Sequence, residues 1–101
     1  MTGTANQIEW AEQIRARVST EFDRVAQALE AVAGNQVERD RISTRAVIEI
    51  LEDKRAEVMA KDQAGYFIVE WQELRDQVRR LIAQDPRYQA IKTRKTAHIH
   101  I

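Results

Sequence analysis

Cysteine is absent from the 101-residue sequence, and proline and glycine are rare, with one and three occurrences. The lack of cysteine excludes a disulfide framework, a thiol nucleophile and a cysteine zinc site, and it fits a reducing compartment. No apolar run is long enough to cross a bilayer, and the first ten residues lack the basic and apolar regions of a signal peptide. We therefore expect a cytoplasmic protein that has no membrane partner.

Groups that could perform catalysis are also scarce. The three glycines are isolated from one another, so they form no phosphate-binding loop. Ser19 and Ser43 fall in a helix and at a helix cap, and His98 and His100 lie within the last four residues. In an extended tail these histidines would project to the same side, but two ligands are too few for a structural metal site. We predict no enzymatic activity, no cofactor and no bound metal.

Charge is balanced overall but not along the chain. The chain contains sixteen basic and sixteen acidic residues. Residues 1–71 hold nine basic and thirteen acidic residues, a net charge of −4, whereas residues 72–101 hold seven and three, a net charge of +4. The chain is therefore dipolar, which favours a charged interface or a head-to-tail arrangement of two copies.

The first third of the sequence predicts one long helix. Thr4 and Gln7 have the spacing of a capping box, in which each side chain bonds the backbone N–H of the other residue. Gly34 and Asn35 predict its end, because both tolerate the left-handed conformation that terminates helices. An apolar stripe joins the two ends through Ala11, Ile14, Val18, Phe22, Val25, Leu29 and Val32. A helix over residues 5–33 would be about 43 Å long, too long for so short a chain to cover, so we expect a homodimer.

Two more helices are predicted before residue 84. After a polar stretch, Ser43 or Thr44 can cap a second helix, whose apolar positions are Val47, Ile50, Leu51, Val58 and Met59. Residues 66–71 have a strand-like composition, but a lone strand would have nothing to pair with. We therefore favour a third helix over residues 64–83.

The C-terminal part predicts a short fourth helix and a tail. Asp85 is placed to cap this helix and Pro86 to open it, and the helix should end near Ile91 or Thr93. Residues 94–101 form a basic tail, expected to be flexible or extended. Together the elements predict an all-α fold in one domain over residues 1–101, a small helical bundle of one long N-terminal helix, two further helices and a short C-terminal one.

The basic last third of the chain is compatible with nucleic-acid binding. Its cations are Arg75, Arg79, Arg80, Arg87, Lys92, Arg94 and Lys95, with Tyr88 as a stacking surface among them. Against this role, the pI near 6.7 is low for a nucleic-acid binder. A helix-turn-helix over residues 61–80 fits poorly, because Lys61 stands where a small residue should precede Gly65.

Trp10 and Trp71 are the other candidate contacts. Trp10 lies off the main apolar stripe, near Ile8 and Ile14, and gives the first helix a second apolar patch. We interpret this patch first as core, with the two tryptophans covering the same end of the molecule. If it is exposed instead, its aromatic ring would anchor a protein interface.

Residues 2–15, TGTANQIEWAEQIR, resemble the opening of a group of small helical proteins of bacteria, phages and plasmids, whose pattern is T-G-S-x-x-Q-[IV]-x-W-A-x-x-I-R. That group also carries a segment like A-K-W-W-I-D-N-R near its last helix; residues 64–68 are similar in kind, whereas residues 69–71 depart from it. The resemblance implies a helical fold and a mobile-element setting, and no particular activity. The composition of the chain gives no reason to expect Gln7, Trp10 and Arg15 at these positions of the pattern. They are therefore the first candidates for a stabilising contact within the fold or a contact with a partner.

The sequence therefore favours a non-enzymatic protein-interaction module, such as a phage- or plasmid-linked adaptor or modulator of a host machine. Its predicted partner-binding residues are Gln7, Trp10, Arg15 and Trp71. The alternative is a small nucleic-acid-binding or regulatory protein that uses the basic C-terminal third.

Overall fold

A computed structural model describes residues 1–99 of the chain, with side chains for residues 1–94. These residues form the helices α1 (Ala5–Gly34), α2 (Glu38–Met59), α3 (Ala64–Glu70), α4 (Leu74–Gln84) and α5 (Pro86–Ile99). The predicted all-α fold and the long first helix are confirmed. The molecule is elongated, measuring 57 × 24 × 19 Å. Within the described range, no helix combines the length and the apolar character that a membrane span requires.

The start of α1 is set by the predicted capping box. Thr4 Oγ1 accepts the Gln7 N–H at 3.2 Å, and Gln7 Oε1 accepts the Thr4 N–H at 3.0 Å. α1 ends at Gly34 as predicted, but the predicted left-handed conformation is wrong: Asn35 has a φ of −102°, and Gly34 does not have a positive φ either. The Asn35 side chain instead donates a hydrogen bond to the carbonyl of Ala31 at 3.2 Å. This bond gives a partner to one of the carbonyl groups that the end of the helix leaves free.

α2 begins at Glu38, so the predicted cap at Ser43 or Thr44 is wrong and both residues lie inside the helix. Val37 occupies the N-cap position and provides no side-chain hydrogen bond. The first turn contains two acidic residues, whose negative charges interact favourably with the positive end of the helix dipole and stabilise the start of α2. Arg41 holds the turn between α1 and α2, because its guanidinium donates to two carbonyls at 3.0 and 2.9 Å.

The predicted third helix is wrong as a single element, since the chain breaks it into α3 and α4. Trp71 leaves the helical conformation, with φ −112° and ψ 42°. Its side chain is buried, and its ring centroid lies 6.1 Å from that of Phe22 in α1. The side-chain amide of Gln77 donates a hydrogen bond to the carbonyl of Glu70, which therefore has a partner at the end of α3. The described chain therefore has five helices rather than four, and helix is the correct choice for residues 66–70.

The first residues of the chain are fastened to the start of α3. The Thr2 N–H donates to the Asp62 carbonyl at 2.6 Å, and the Ala64 N–H donates to the Thr2 carbonyl at 2.8 Å. Gly3 has a φ of +146°, and a Cβ built on it would stand 3.0 Å from the Cβ of Ala64. Only glycine adopts this conformation readily, so Gly3 allows the close approach.

The cap of the last helix is confirmed. Asp85 Oδ1 accepts the Arg87 N–H at 2.8 Å, and Pro86 is the first residue of α5. The helix extends to Ile99, beyond its predicted end, so residues 94–99 of the expected tail continue its backbone. His100 and Ile101 lie outside the described residues.

The core lies between α1, α2, α3 and α4, while α5 packs on α2 and α4. Its largest fully buried side chains are Phe22, Phe67, Ile50, Leu51, Val18 and Val78. Each such side chain stabilises the fold by about 1.5–3 kcal/mol. The far end of the α1 stripe is different, because Val32 is 49% exposed. The core therefore stops short of the α1–α2 turn.

Candidate functional site

An apolar groove lies where the C-terminal half of α1 and the N-terminal half of α2 meet α4 and α5. Its volume is about 420 Å³, and it opens to solvent. α1 forms one wall with Val25, Ala28, Leu29 and Val32. The apolar stripe of α1 thus continues past the core into the groove.

The other wall mixes apolar, hydroxyl and cationic groups. It consists of Ser43, Thr44 and Val47 from α2, Arg79 and Ile82 from α4, and Tyr88, Ile91 and Lys92 from α5. The described lining therefore contains two cations and no carboxylate. Such a lining suits an aromatic side chain, because its electron-rich face attracts cations. It also suits an apolar side chain that lies next to an anionic group.

More apolar surface surrounds the turn between α1 and α2. Val37 is 68% exposed and Ile42 is 62% exposed. Sequence reasoning missed the groove, because its walls come from four helices whose packing no local pattern predicts. The only sequence signal was the stripe of α1 reaching as far as Val32.

The four predicted partner-binding residues fall into two groups. Gln7 belongs to the capping box, Arg15 Nη2 donates to the carbonyl of Met59 at the end of α2 at 3.0 Å, and Trp71 is only 3% exposed in the core. These three positions have structural contacts. Trp10 is 56% exposed, so its predicted place in the core is wrong. Trp10 is the one of the four whose exposure suits a contact with a partner.

Two of the candidate nucleic-acid contacts are engaged with carboxylates. Arg80 pairs with Glu73, and Arg87 pairs with Asp53 at 2.6 Å and with Asp85 at 3.0 Å. Hydrogen bonds from Arg87 hold the pKa of Asp85 well below its usual range, and the same bonds raise the pKa of Arg87. This cluster joins α2 to the junction of α4 and α5.

The other candidate cations have different surroundings. Arg75 and Arg79 face Glu21 of α1, whose pKa is lowered mainly by its hydrogen bonds from Arg24 and further by these two guanidinium groups. Lys92 Nζ lies 5.8 Å from the Tyr88 ring centroid, Arg94 is exposed, and the side chain of Lys95 lies outside the described residues. The six candidate cations whose side chains are described thus do not share one environment.

Metal-ligating side chains do not cluster in threes anywhere among the described residues. His98 and His100, the two histidines for which no metal site is predicted, lie outside the described side chains. No protein-family model, curated protein or solved structure is significantly similar to this chain.

Proposed function

We propose that this small helical bundle is a non-enzymatic protein-interaction module, and that the groove between α1, α2, α4 and α5 is its docking surface. The observation that carries the proposal is the groove itself, an open apolar surface whose charged lining residues, Arg79 and Lys92, are both cations. A partner would insert a large apolar or aromatic side chain into it.

The open shape of the groove supports a protein partner. Its volume of about 420 Å³ would hold one or two large side chains, and it lies within the range of about 300–1,000 Å³ that is also typical of small-ligand pockets. Because the groove is open and its wall includes Val32, which is 49% exposed, it suits a segment of polypeptide better than an enclosed small molecule.

The biological setting is proposed from the sequence. The resemblance of residues 2–15 supports a setting linked to phages or plasmids, in which this module would act in the cytoplasm as an adaptor or modulator of a host machine. The length of α1 and the uncovered end of its apolar stripe support a homodimer.

A site-specific photo-crosslinker tests the docking surface. It replaces Ala28, which lines the groove and is exposed, in the full-length chain expressed in bacteria; the matched control replaces Glu49, an exposed residue of α2 outside the groove. We expect Ala28 alone to give a crosslink, mapped by mass spectrometry to one apolar protein segment. Arg79→Glu should weaken that crosslink, and Arg94→Glu should not. Crosslinks that are equal at both positions, or products without one mapped segment, would overturn the proposal.

A further inference from the structure

Cations line the groove and continue beyond it along one face of α1. Arg79 and Lys92 belong to the groove lining. Arg24 precedes Ala28 of the groove wall by about one helical turn, and Arg17 lies about two turns further along the same face. We call the exposed cations of this surface the basic strip: Arg17, Arg24, Arg75, Arg79 and Lys92.

One carboxylate is shared among three cations of the basic strip. Glu21 accepts hydrogen bonds from Arg24 through both of its oxygens, at 2.8 to 3.2 Å, and its side chain is only 18% exposed. Arg75 and Arg79 act on the same carboxylate, but neither makes a hydrogen bond or a salt bridge with a described residue. Asp76 is the other carboxylate that acts on Arg24. The basic strip therefore keeps an excess of positive charge.

The groove at the end of this strip is mostly apolar. Seven of its twelve lining residues are aliphatic, and no carboxylate is among them. An anion alone would leave these walls exposed to water, whereas a purely apolar segment would leave the cations without partners. Positive charge at an interface also disfavours basic partners. An occupant that matches both features carries apolar and acidic side chains together.

We infer that the groove binds an acidic amphipathic segment of another protein, in which a large apolar side chain enters the groove and neighbouring carboxylates pair with Arg75 and Arg79. This inference rests on the proposed function, because it names the chemistry of the partner at the same docking surface. In a longer segment, a further carboxylate pairs with Arg17, which is exposed and makes no hydrogen bond or ion pair with another described residue.

Selection from a phage-displayed library of random peptides tests the inference. The library is panned on the full-length wild-type chain and, in parallel, on Arg79→Glu. We expect the peptides enriched on the wild type to combine a large apolar side chain with more Asp and Glu than Lys and Arg. Because Arg79→Glu reverses one charge of the lining, the acidic excess should be smaller among the peptides that this variant enriches. The segment that the Ala28 crosslinker captures should also be acidic.

Fluorescence anisotropy then measures the best peptide of the wild-type selection, labelled with fluorescein. Arg79→Glu should raise its Kd by about tenfold, because attraction becomes repulsion. Lys61→Glu, the matched control at an exposed cation outside the basic strip, should change the Kd by less than about twofold. Ala28→Trp should abolish binding by filling the groove, and Ala16→Trp, at an exposed alanine of α1 outside the groove, should not. Circular dichroism checks that each variant is folded.

The outcomes separate the inference from the proposed function. If the enriched peptides fail to bind Ala28→Trp but have no acidic excess, or if the Ala28 crosslink maps to a second copy of this chain, the inference is wrong and the docking surface still stands. Acidic peptides that bind Ala28→Trp as tightly as the wild type are attracted by charge alone, which also overturns the inference. If no peptide depends on the open groove and Ala28 gives no mapped crosslink, the proposed function fails as well.

Discussion

Arg15 illustrates how a charged residue of α1 stabilises another helix. Its Nη2 donates to the carbonyl of Met59, the last residue of α2, at 3.0 Å. The final carbonyls of a helix have no partner within it and carry partial negative charge, so a guanidinium there satisfies both needs. The side chain thus ties the N-terminal half of α1 to the C-terminal end of α2.

Removal of this guanidinium should destabilise the fold. We expect Arg15→Ala to lower the free energy of unfolding by about 1.5–3 kcal/mol, the range for a hydrogen bond that involves a charged group. Gln13→Ala is the matched control, because Gln13 is exposed on the same helix, and it should change stability by less than about 0.5 kcal/mol. Urea denaturation measures both. Equal losses would mean that the contact with α2 contributes nothing specific.

Trp10 and Trp71 show the limit of sequence reasoning at this scale. Both are tryptophans within predicted helices, and hydropathy does not distinguish them. The structure buries Trp71 to 3% exposure beside Phe22 and leaves Trp10 56% exposed. Their roles differ because of the tertiary contact with Phe22, which local sequence does not encode. Only a position off the main stripe hinted that Trp10 lies outside the core.

At the scale of elements, the predictable boundaries are those with a local chemical signal. The capping box of Thr4 and Gln7 and the Asp85–Pro86 pair both predicted helix starts correctly. The start of α2 was missed because Val37 provides no side-chain cap. The break between α3 and α4 was missed because apolar spacing continues through it, although Trp71, buried beside Phe22, leaves the helical conformation there. The groove depends on four elements at once, so no single segment could predict it.

Two glycines should respond in opposite ways to substitution by alanine: Gly3 lies in the N-terminal strap, residues 2–4, which is fastened to α3, and Gly34 ends α1. Gly3 has a φ of +146°, and an added Cβ would stand 3.0 Å from the Ala64 Cβ, so Gly3→Ala should cost about 1–3 kcal/mol of stability. Gly34 has no positive φ and open space around its Cβ position, so Gly34→Ala should stabilise α1 by about 0.4–1 kcal/mol.

Thermal unfolding and amide hydrogen exchange distinguish the two substitutions. Gly3→Ala should lower the Tm and speed exchange of the Thr2 and Ala64 amides, which hold the strap to α3. Gly34→Ala should raise the Tm and leave those amides unchanged. The strap would have no role in stability if Gly3→Ala left both measurements at their wild-type values.

The junction of α2, α4 and α5 should make stability depend on acidic pH. Hydrogen bonds from Arg87 hold the pKa of Asp85 well below the ordinary value of about 3.9. Because the pKa is lower in the folded state, the stabilisation is fully present above the unfolded pKa and is lost as pH falls through the folded pKa. Unfolding measured between neutral pH and pH 2 should therefore show a loss that begins below about pH 4.

Two substitutions separate the charge of Asp85 from its cap. Asn is also a good N-cap residue, so Asp85→Asn keeps an acceptor for the Arg87 N–H and removes the ion pairs with Arg87 and Lys54. Asp85→Ala removes both contributions. We expect the stability order wild type, Asp85→Asn, Asp85→Ala at neutral pH, with a smaller acid-dependent loss in both variants. An unchanged acid profile in Asp85→Asn would assign the pH dependence to other carboxylates.

At the scale of the whole molecule, the charge dipole of the sequence is partly cancelled by the fold. The basic last third packs on the acidic part of the chain, so Arg87 contacts Asp53 and two guanidinium groups of α4 approach Glu21. A net charge of +4 over residues 72–101 therefore overstates the field that a partner meets. Packing between elements that are distant in sequence causes this difference.

The cancellation leads to a prediction about nucleic acid. Binding to phosphates through the C-terminal third would require Arg80 and Arg87 to give up their carboxylates, which offsets the gain from counterion release. We expect fluorescence anisotropy to show no binding of a labelled duplex or single strand at about 150 mM salt, and weak binding only at low salt. Neutralising Arg75, Arg79 and Arg94 to Gln should then reduce the low-salt binding no more than neutralising Arg17, Arg24 and Arg45 does. Tight binding at about 150 mM salt that only the first triple variant abolishes would contradict this expectation and favour a nucleic-acid-binding protein.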